Sequence, residues 1–166
     1  MGLILFTDKI NSGKSEILNE LSDKSTNYDG FIQFKKDNDR YIKYLDSKVI
    51  EKFSSNQNDL YESIKIGNFL FRKDIFSQLN TKIRSSTDRT SFKQFVIDEW
   101  GLLEMNGAGL NCGIDLLMNN KLYNKNNYLI IIRDWLFQNF IDRYNLNDND
   151  FIKCNMQNIR NVLNNC

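Results

Sequence analysis

Four side chains in this sequence have the types and spacing for phosphate chemistry: Lys14, Ser15, Asp98 and Glu99. A lysine at the start of a helix can neutralise β and γ phosphate oxygens, and the serine hydroxyl after it can ligate Mg²⁺. A pair of adjacent carboxylates makes sense beside a metal ion, because the cation offsets their mutual repulsion. One carboxylate can hold Mg²⁺ while the next orients or deprotonates a water. Asp8, Lys9, Ile10, Asn11, Ser12, Gly13, Lys14, Ser15 and Glu16 are accordingly the candidate nucleotide-binding residues. Ser15 and Asp98 are the candidate metal ligands. Lys14, Glu99 and Arg133 are the candidate catalytic residues.

This chemistry needs a particular scaffold. Leu3 to Phe6 reads as a short buried strand and Thr7 to Ser12 as a polar loop. Gly13-Lys14-Ser15 then opens a segment whose apolar residues Ile17, Leu18 and Leu21 have helical spacing. Strand, loop, Gly-Lys-Ser and helix is the context of a phosphate-binding P-loop, in which N–H groups and the helix dipole attract an anion. The full pattern asks for Gly where the chain has Asp8, and many such loops have Gly at Asn11. Asn and Asp are the next most tolerant of left-handed backbone. The Asp8 carboxylate either repels the phosphates or turns away to hydrogen-bond its own loop.

The second pair ends a strand, Phe95-Val-Ile-Asp-Glu99, in the Walker B arrangement. The alternative is that Asp98-Glu99 merely ends a strand at the surface. Elsewhere, Tyr28–Lys36, Arg40–Leu45 and Val49–Phe53 read as an antiparallel meander, with Ser54–Asp59 a polar loop. Ile64 to Phe71 reads as one further strand, followed by a helix bearing Ile75, Phe76, Leu79 and Ile83. Arg84 to Ser91 reads as a mobile polar connection. After Gly107-Ala-Gly109 comes a helix with Leu110, Ile114, Leu117 and Met118, then the strand Tyr128–Arg133. Trp135, Leu136, Phe140, Ile141 and Tyr144 mark a helix whose aromatics read as core. A last strand, Phe151–Cys154, and a last helix with Met156, Ile159, Val162 and Leu163 complete the chain. Strands alternating with helices imply a parallel sheet, and such sheets bind ligands at strand C-terminal ends.

The 166 residues fit one domain, residues 1–166, with 41% hydrophobic and 26% charged residues. With 22 basic and 21 acidic residues the net charge is +1, and no block of like charge suggests a nucleic-acid partner. The absence of His removes His-based acid–base chemistry, Ser-His triads and most zinc sites. Cys112, Cys154 and Cys166 form no C-x-x-C pair and read as reduced thiols of a cytoplasmic protein. No apolar run approaches membrane-spanning length, and neither a signal peptide nor a myristoylation signal is expected at the N-terminus. Proline is absent while Asn, Lys, Ile and Tyr are abundant, which fits A/T-rich codon drift and some erosion of motifs.

Gly13-Lys14-Ser15, Gly30-Phe31, Ile66-Gly67-Asn68-Phe69 and the segment Ile97 to Glu104 together resemble the THEP1-type nucleoside-triphosphatases. That family has a D-E-x-G-x-x-E Walker B segment, matched by Asp98, Glu99, Gly101 and Glu104, and the resemblance spans about residues 3 to 145. The loop departs from the family at Asp8 and Asn11, where glycines are usual. The resemblance implies an α/β P-loop NTPase fold, mostly parallel, and Mg²⁺-dependent hydrolysis of nucleoside triphosphates with broad base tolerance. No N-K-x-D segment selects guanine. Glu104 and Arg133 are further candidates: Arg133 stands either as a transition-state cation or in a surface salt bridge. Two other readings stay open. One is a kinase with Arg84, Arg89 and Arg143 as its basic lid, and the other is a degenerate binding module without turnover. No protein partner is named by the sequence.

Overall fold

A computed structural model describes residues 2–24, 27–56, 59–89 and 93–165. The strands are β1 Leu3–Asp8, β2 Tyr28–Lys36, β3 Asp39–Tyr44, β4 Ile50–Lys52, β5 Ser54–Ser55, β6 Ser63–Ile66, β7 Phe69–Arg72, β8 Gln94–Trp100, β9 Tyr128–Arg133 and β10 Phe151–Cys154. The helices are α1 Lys14–Asp23, α2 Lys73–Ser86, α3 Leu102–Met105, α4 Asn111–Asn119, α5 Phe137–Tyr144 and α6 Ile159–Asn165.

Seven strands form one sheet in the order β10-β1-β9-β8-β2-β3-β4. The run from β10 to β2 is parallel. β3 and β4 add an antiparallel edge, the meander expected after the first helix. The strands read as continuous apolar runs because both faces are covered. Leu3, Leu5, Phe95, Ile97, Ile130 and Ile132 project into a core with α2, α4 and α5. Ile4, Phe6, Val96, Leu129 and Ile131 project into a second core with α1 and α6. Alternate residues of one strand thus serve opposite cores, as the period of two requires.

Gly30 pairs with Val96 of β8 and has φ 94°. A Cβ there would lie 2.0 Å from the Val96 carbonyl oxygen, so no other residue fits without separating the two strands.

Four expectations are corrected. Ile64–Phe71 is not one strand but the hairpin β6–β7, turning at Gly67-Asn68 with Gly67 at φ 58°. Ser54-Ser55 is not loop: it forms β5, which pairs with β7 in a small second sheet β5-β7-β6. Gln57 and Asn58 of the same expected loop lie outside the described residues. Arg84 and Ser85 continue α2, because Ile83 and Ser86 are buried on its inner face. Arg89 is held by Asp29 at 2.8 Å, and Thr90 and Ser91 lie outside the described residues. Trp135 is 52% exposed, because a 3₁₀ turn, 134–136, precedes α5 and rotates it off the buried face. Cys166 also lies outside the described residues; Cys154 is buried and Cys112 exposed.

Candidate active site

β1 ends at Asp8, and the loop that follows returns the chain into α1. Gly13 caps the helix in left-handed backbone, φ 91°, and Asn11 has φ 61°, the conformation for which its residue type stands in for glycine. Asp8 behaves differently. It remains in β1, and its carboxylate accepts the Met156 N–H at 2.9 Å and the Lys9 N–H at 2.8 Å. Those two bonds hold it below the usual carboxylate range, the Met156 bond contributing most. Asp8 therefore ties the loop to the turn after β10 through Met156 and hydrogen-bonds its own loop only at Lys9, and it still lines the cleft.

Lys14 Nζ donates to the Asp8 and Lys9 carbonyls, both at 2.8 Å, and to Ser12 Oγ at 3.3 Å. The ammonium thus lies at the mouth of the loop. Asp8, Ile10, Asn11, Ser12, Lys14, Ser15 and Glu16 line one cleft of about 410 Å³. Lys9 faces a neighbouring depression with Lys153 and Asp134.

The second half of the site comes from β8, two strands away. Ser15 Oγ donates to Asp98 Oδ2 at 2.7 Å, joining the two motifs across 83 residues of chain. Asp98 is 3% exposed. Burial, then the neighbouring Glu99 charge, pushes its carboxyl up to about 7. The strand does not stop at the carboxylates: β8 runs on to Trp100, with an irregularity in its pairing to β9 between Asp98 and Trp100. Trp100 is fully buried against Phe140, and that buried ring carries the strand past the site.

Glu99 and Arg133, at the ends of adjacent strands, form an ion pair: Arg133 Nε donates to Glu99 Oε1 at 2.6 Å. Both line the same cleft as Lys14 and Ser15. Arg133 therefore makes a salt bridge, and it lies inside the cleft rather than on an outer surface. Glu104 is buried, accepting the Gly101 N–H and the Leu110 N–H, each at 3.0 Å. It staples α3 to α4. Burial raises its carboxyl, and it does not line the Lys14–Ser15 cleft.

None of the three cations expected for a kinase lid lines that cleft. Arg84 Nη2 contacts Cys112 Sγ, Arg89 pairs with Asp29, and Arg143 bonds Asn111 and Asp115. The sequence reading missed Gln33, Lys35 and Arg40. Gln33 donates its backbone N–H to Asp98 Oδ2 at 2.9 Å and its side-chain amide to the Asp98 carbonyl at 2.7 Å. The signal was available in principle: β2 runs parallel to β8, with Phe31 level with Ile97, so the residues after Phe31 arrive beside Asp98. Which strand neighbours β8 is a long-range fact that local pattern does not carry.

No protein-family model matches the sequence, and no curated protein matches it. Among solved structures, the crystal structure of THEP1 from the hyperthermophile Aquifex aeolicus is similar, with a TM-score of 0.68 at 14% identity. The match covers 99% of this chain and 96% of that one. At that identity the likeness is one of fold: the chain has a THEP1-like P-loop NTPase fold.

Proposed function

We propose that this protein hydrolyses nucleoside triphosphates to the diphosphate and phosphate with Mg²⁺, in the cytoplasm and with little base selectivity. The observation that carries this reading is the 2.7 Å contact between Ser15 and Asp98, a hydroxyl and a carboxylate of separate motifs at one point. These donors suit the ion, because Mg²⁺ is usually bound by one or two carboxylates together with substrate phosphates and water. Ser15 and Asp98 would hold it, and it would neutralise charge on the β and γ phosphates.

The chain supplies the rest. The backbone N–H groups opening α1 receive phosphate oxygens. Lys14 exchanges the Asp8 and Lys9 carbonyls for phosphate oxygens. Glu99 orients the water and accepts its proton as the water oxygen bonds the γ phosphorus; the bond from that phosphorus to the β–γ bridging oxygen breaks and the diphosphate leaves. Arg133 positions the Glu99 carboxylate. Hydrolysis is favoured over transfer to an acceptor because the three arginines expected for a lid are engaged elsewhere. A retained activity is favoured over a degenerate module because Asn11 and Gly13 keep the left-handed backbone the loop needs.

Phosphate release measured from each nucleoside triphosphate, with Mg²⁺ or with excess chelator, tests the reading. Slow release from all of them, abolished by chelator, is expected. Release only on adding an acceptor would replace it with the kinase reading, and chelator-insensitive release would overturn it.

A further inference from the structure

Lys35 and Arg40 stand directly opposite each other in the β2–β3 register. Cross-strand partners project from the same face with Cβ atoms about 5 Å apart, and like charges placed so repel each other. Both line the cleft that holds Lys14, Ser15 and Glu99. Among the described residues neither has a carboxylate at ion-pair distance. Asp39 is committed to Lys52 at 2.8 Å and Glu99 to Arg133 at 2.6 Å, while Asp8 and Glu16, on the loop side of the same cleft, pair with neither cation.

Arg40 is also held in place. Its backbone N–H donates to Ser54 Oγ at 3.1 Å, and its guanidinium lies 5.7 Å from the centre of the Phe69 ring. Phe69 starts β7, just after the Gly67-Asn68 turn. Arg40 lines a second, adjoining space of about 420 Å³ with Ser15, Asp98 and Glu99 but not Lys14. Arg40 therefore borders both the loop's cleft and the space on the Asp98 side, whereas Lys35 lines the loop's cleft alone. Two cations facing one space without an ion-pair partner favour a multiply charged anion between them.

We infer that Arg40, with Lys35 opposite it, binds the terminal phosphate of a nucleoside triphosphate and so discriminates triphosphate from diphosphate. This rests on the nucleotide reading of the loop. The hairpin β6–β7 then has a purpose: its Phe69 ring keeps the guanidinium aimed without neutralising it.

Titration calorimetry of ATP and ADP with Mg²⁺, on wild type, Arg40→Gln, Lys35→Gln and Lys14→Ala, tests the inference. Arg40→Gln is expected to weaken ATP about tenfold and to leave ADP within about twofold, the loss of one charge-assisted contact. Lys35→Gln should act in the same sense, by about threefold, since it is the more exposed of the two. It also keeps the test open if Arg40→Gln folds poorly. Without nucleotide, Arg40→Gln should melt no lower than wild type, because the cross-strand repulsion is gone. Equal losses for ATP and ADP in both variants, or no loss in either, would overturn the inference. If wild type binds ATP through Lys14 while both hairpin variants are unchanged, the nucleotide reading survives and the inference alone fails. If wild type binds neither nucleotide, both fail.

Discussion

Two aspartates on neighbouring parallel strands are almost fully buried, Asp29 on β2 and Asp98 on β8, at 2% and 3% exposure. Asp29 lies at the start of its strand and has two cations, Lys82 and Arg89, each at 2.8 Å. Lys82 is shared with Asp46, so the group locks the end of α2 to β2 and to the turn after β3. Asp98 lies near the end of its strand. Its side-chain partners are neutral, Ser15 Oγ and the Gln33 N–H, and its chain neighbour is another acid, Glu99. A buried charge is costly unless paired. The protein pairs one carboxylate with two cations from within and gives the other none, and in the proposed mechanism Mg²⁺ would supply that charge. On the proposed reading the difference separates a structural acid from a metal-binding one with identical chemistry.

Removing the internally paired acid should have the largest effect on folding. Asp29→Asn leaves Lys82 and Arg89 without their shared partner. Breaking a buried pair costs about 3–5 kcal/mol. The low end is expected, because Lys82 keeps Asp46 and Arg89 is 44% exposed. Chemical denaturation should show the loss, with nucleotide affinity unchanged where the variant is still folded. A wild-type midpoint would mean that the ion network is dispensable.

Next in size is Glu99→Gln, the mirror image: stability close to wild type, nucleotide still bound, turnover down by about a hundredfold or more. The amide is nearly isosteric but accepts no proton and weakens the Arg133 contact. Single-turnover phosphate release measures it. A rate within about twofold of wild type would remove Glu99 from the proposed mechanism, because a proton-transfer group normally contributes about 10²–10⁴-fold.

The smallest effect concerns Asp8, an acid at the site that serves structure. Asp8→Ala should cost about 1 kcal/mol at neutral pH through its lost hydrogen bonds. The folded-state pKa lies below the unfolded 3.8, so the stabilisation is complete above that value and is lost as pH falls through the folded one. Denaturation midpoints of the two proteins should therefore converge toward acid. A gap constant down to pH 3 would mean that the carboxylate charge plays no part.

The same contrast shows what the sequence could disclose. Strands with both faces buried are apolar without interruption, so Leu3–Phe6 and Tyr128–Ile132 announce a parallel sheet. Gly13-Lys14-Ser15 and Asp98-Glu99 are local motifs, and their positions at strand ends follow from the strands themselves. Asp29 and Asp98 cannot be told apart in this way, because what differs is partners 53 residues away or more for Asp29, and 65 and 83 away for Asp98. Ile64–Phe71 was misread because its apolar pattern continues through Gly67-Asn68, where only the turn residues mark the reversal. Lys35 and Arg40 belong to no local motif. Their opposition across β2–β3, and the cleft beneath them, exist only after folding.

The most direct test of the central claim is the melting temperature of wild type and Asp98→Asn with ATP, each with Mg²⁺ and with excess chelator. A ligand that binds only the folded state raises stability by mass action. If Ser15 and Asp98 hold the metal, Mg²⁺ adds an increment to the ATP-induced rise in wild type, and the Asp98→Asn variant, still folded, lacks that increment. An Asp98→Asn protein that keeps the full Mg²⁺ increment would contradict the account.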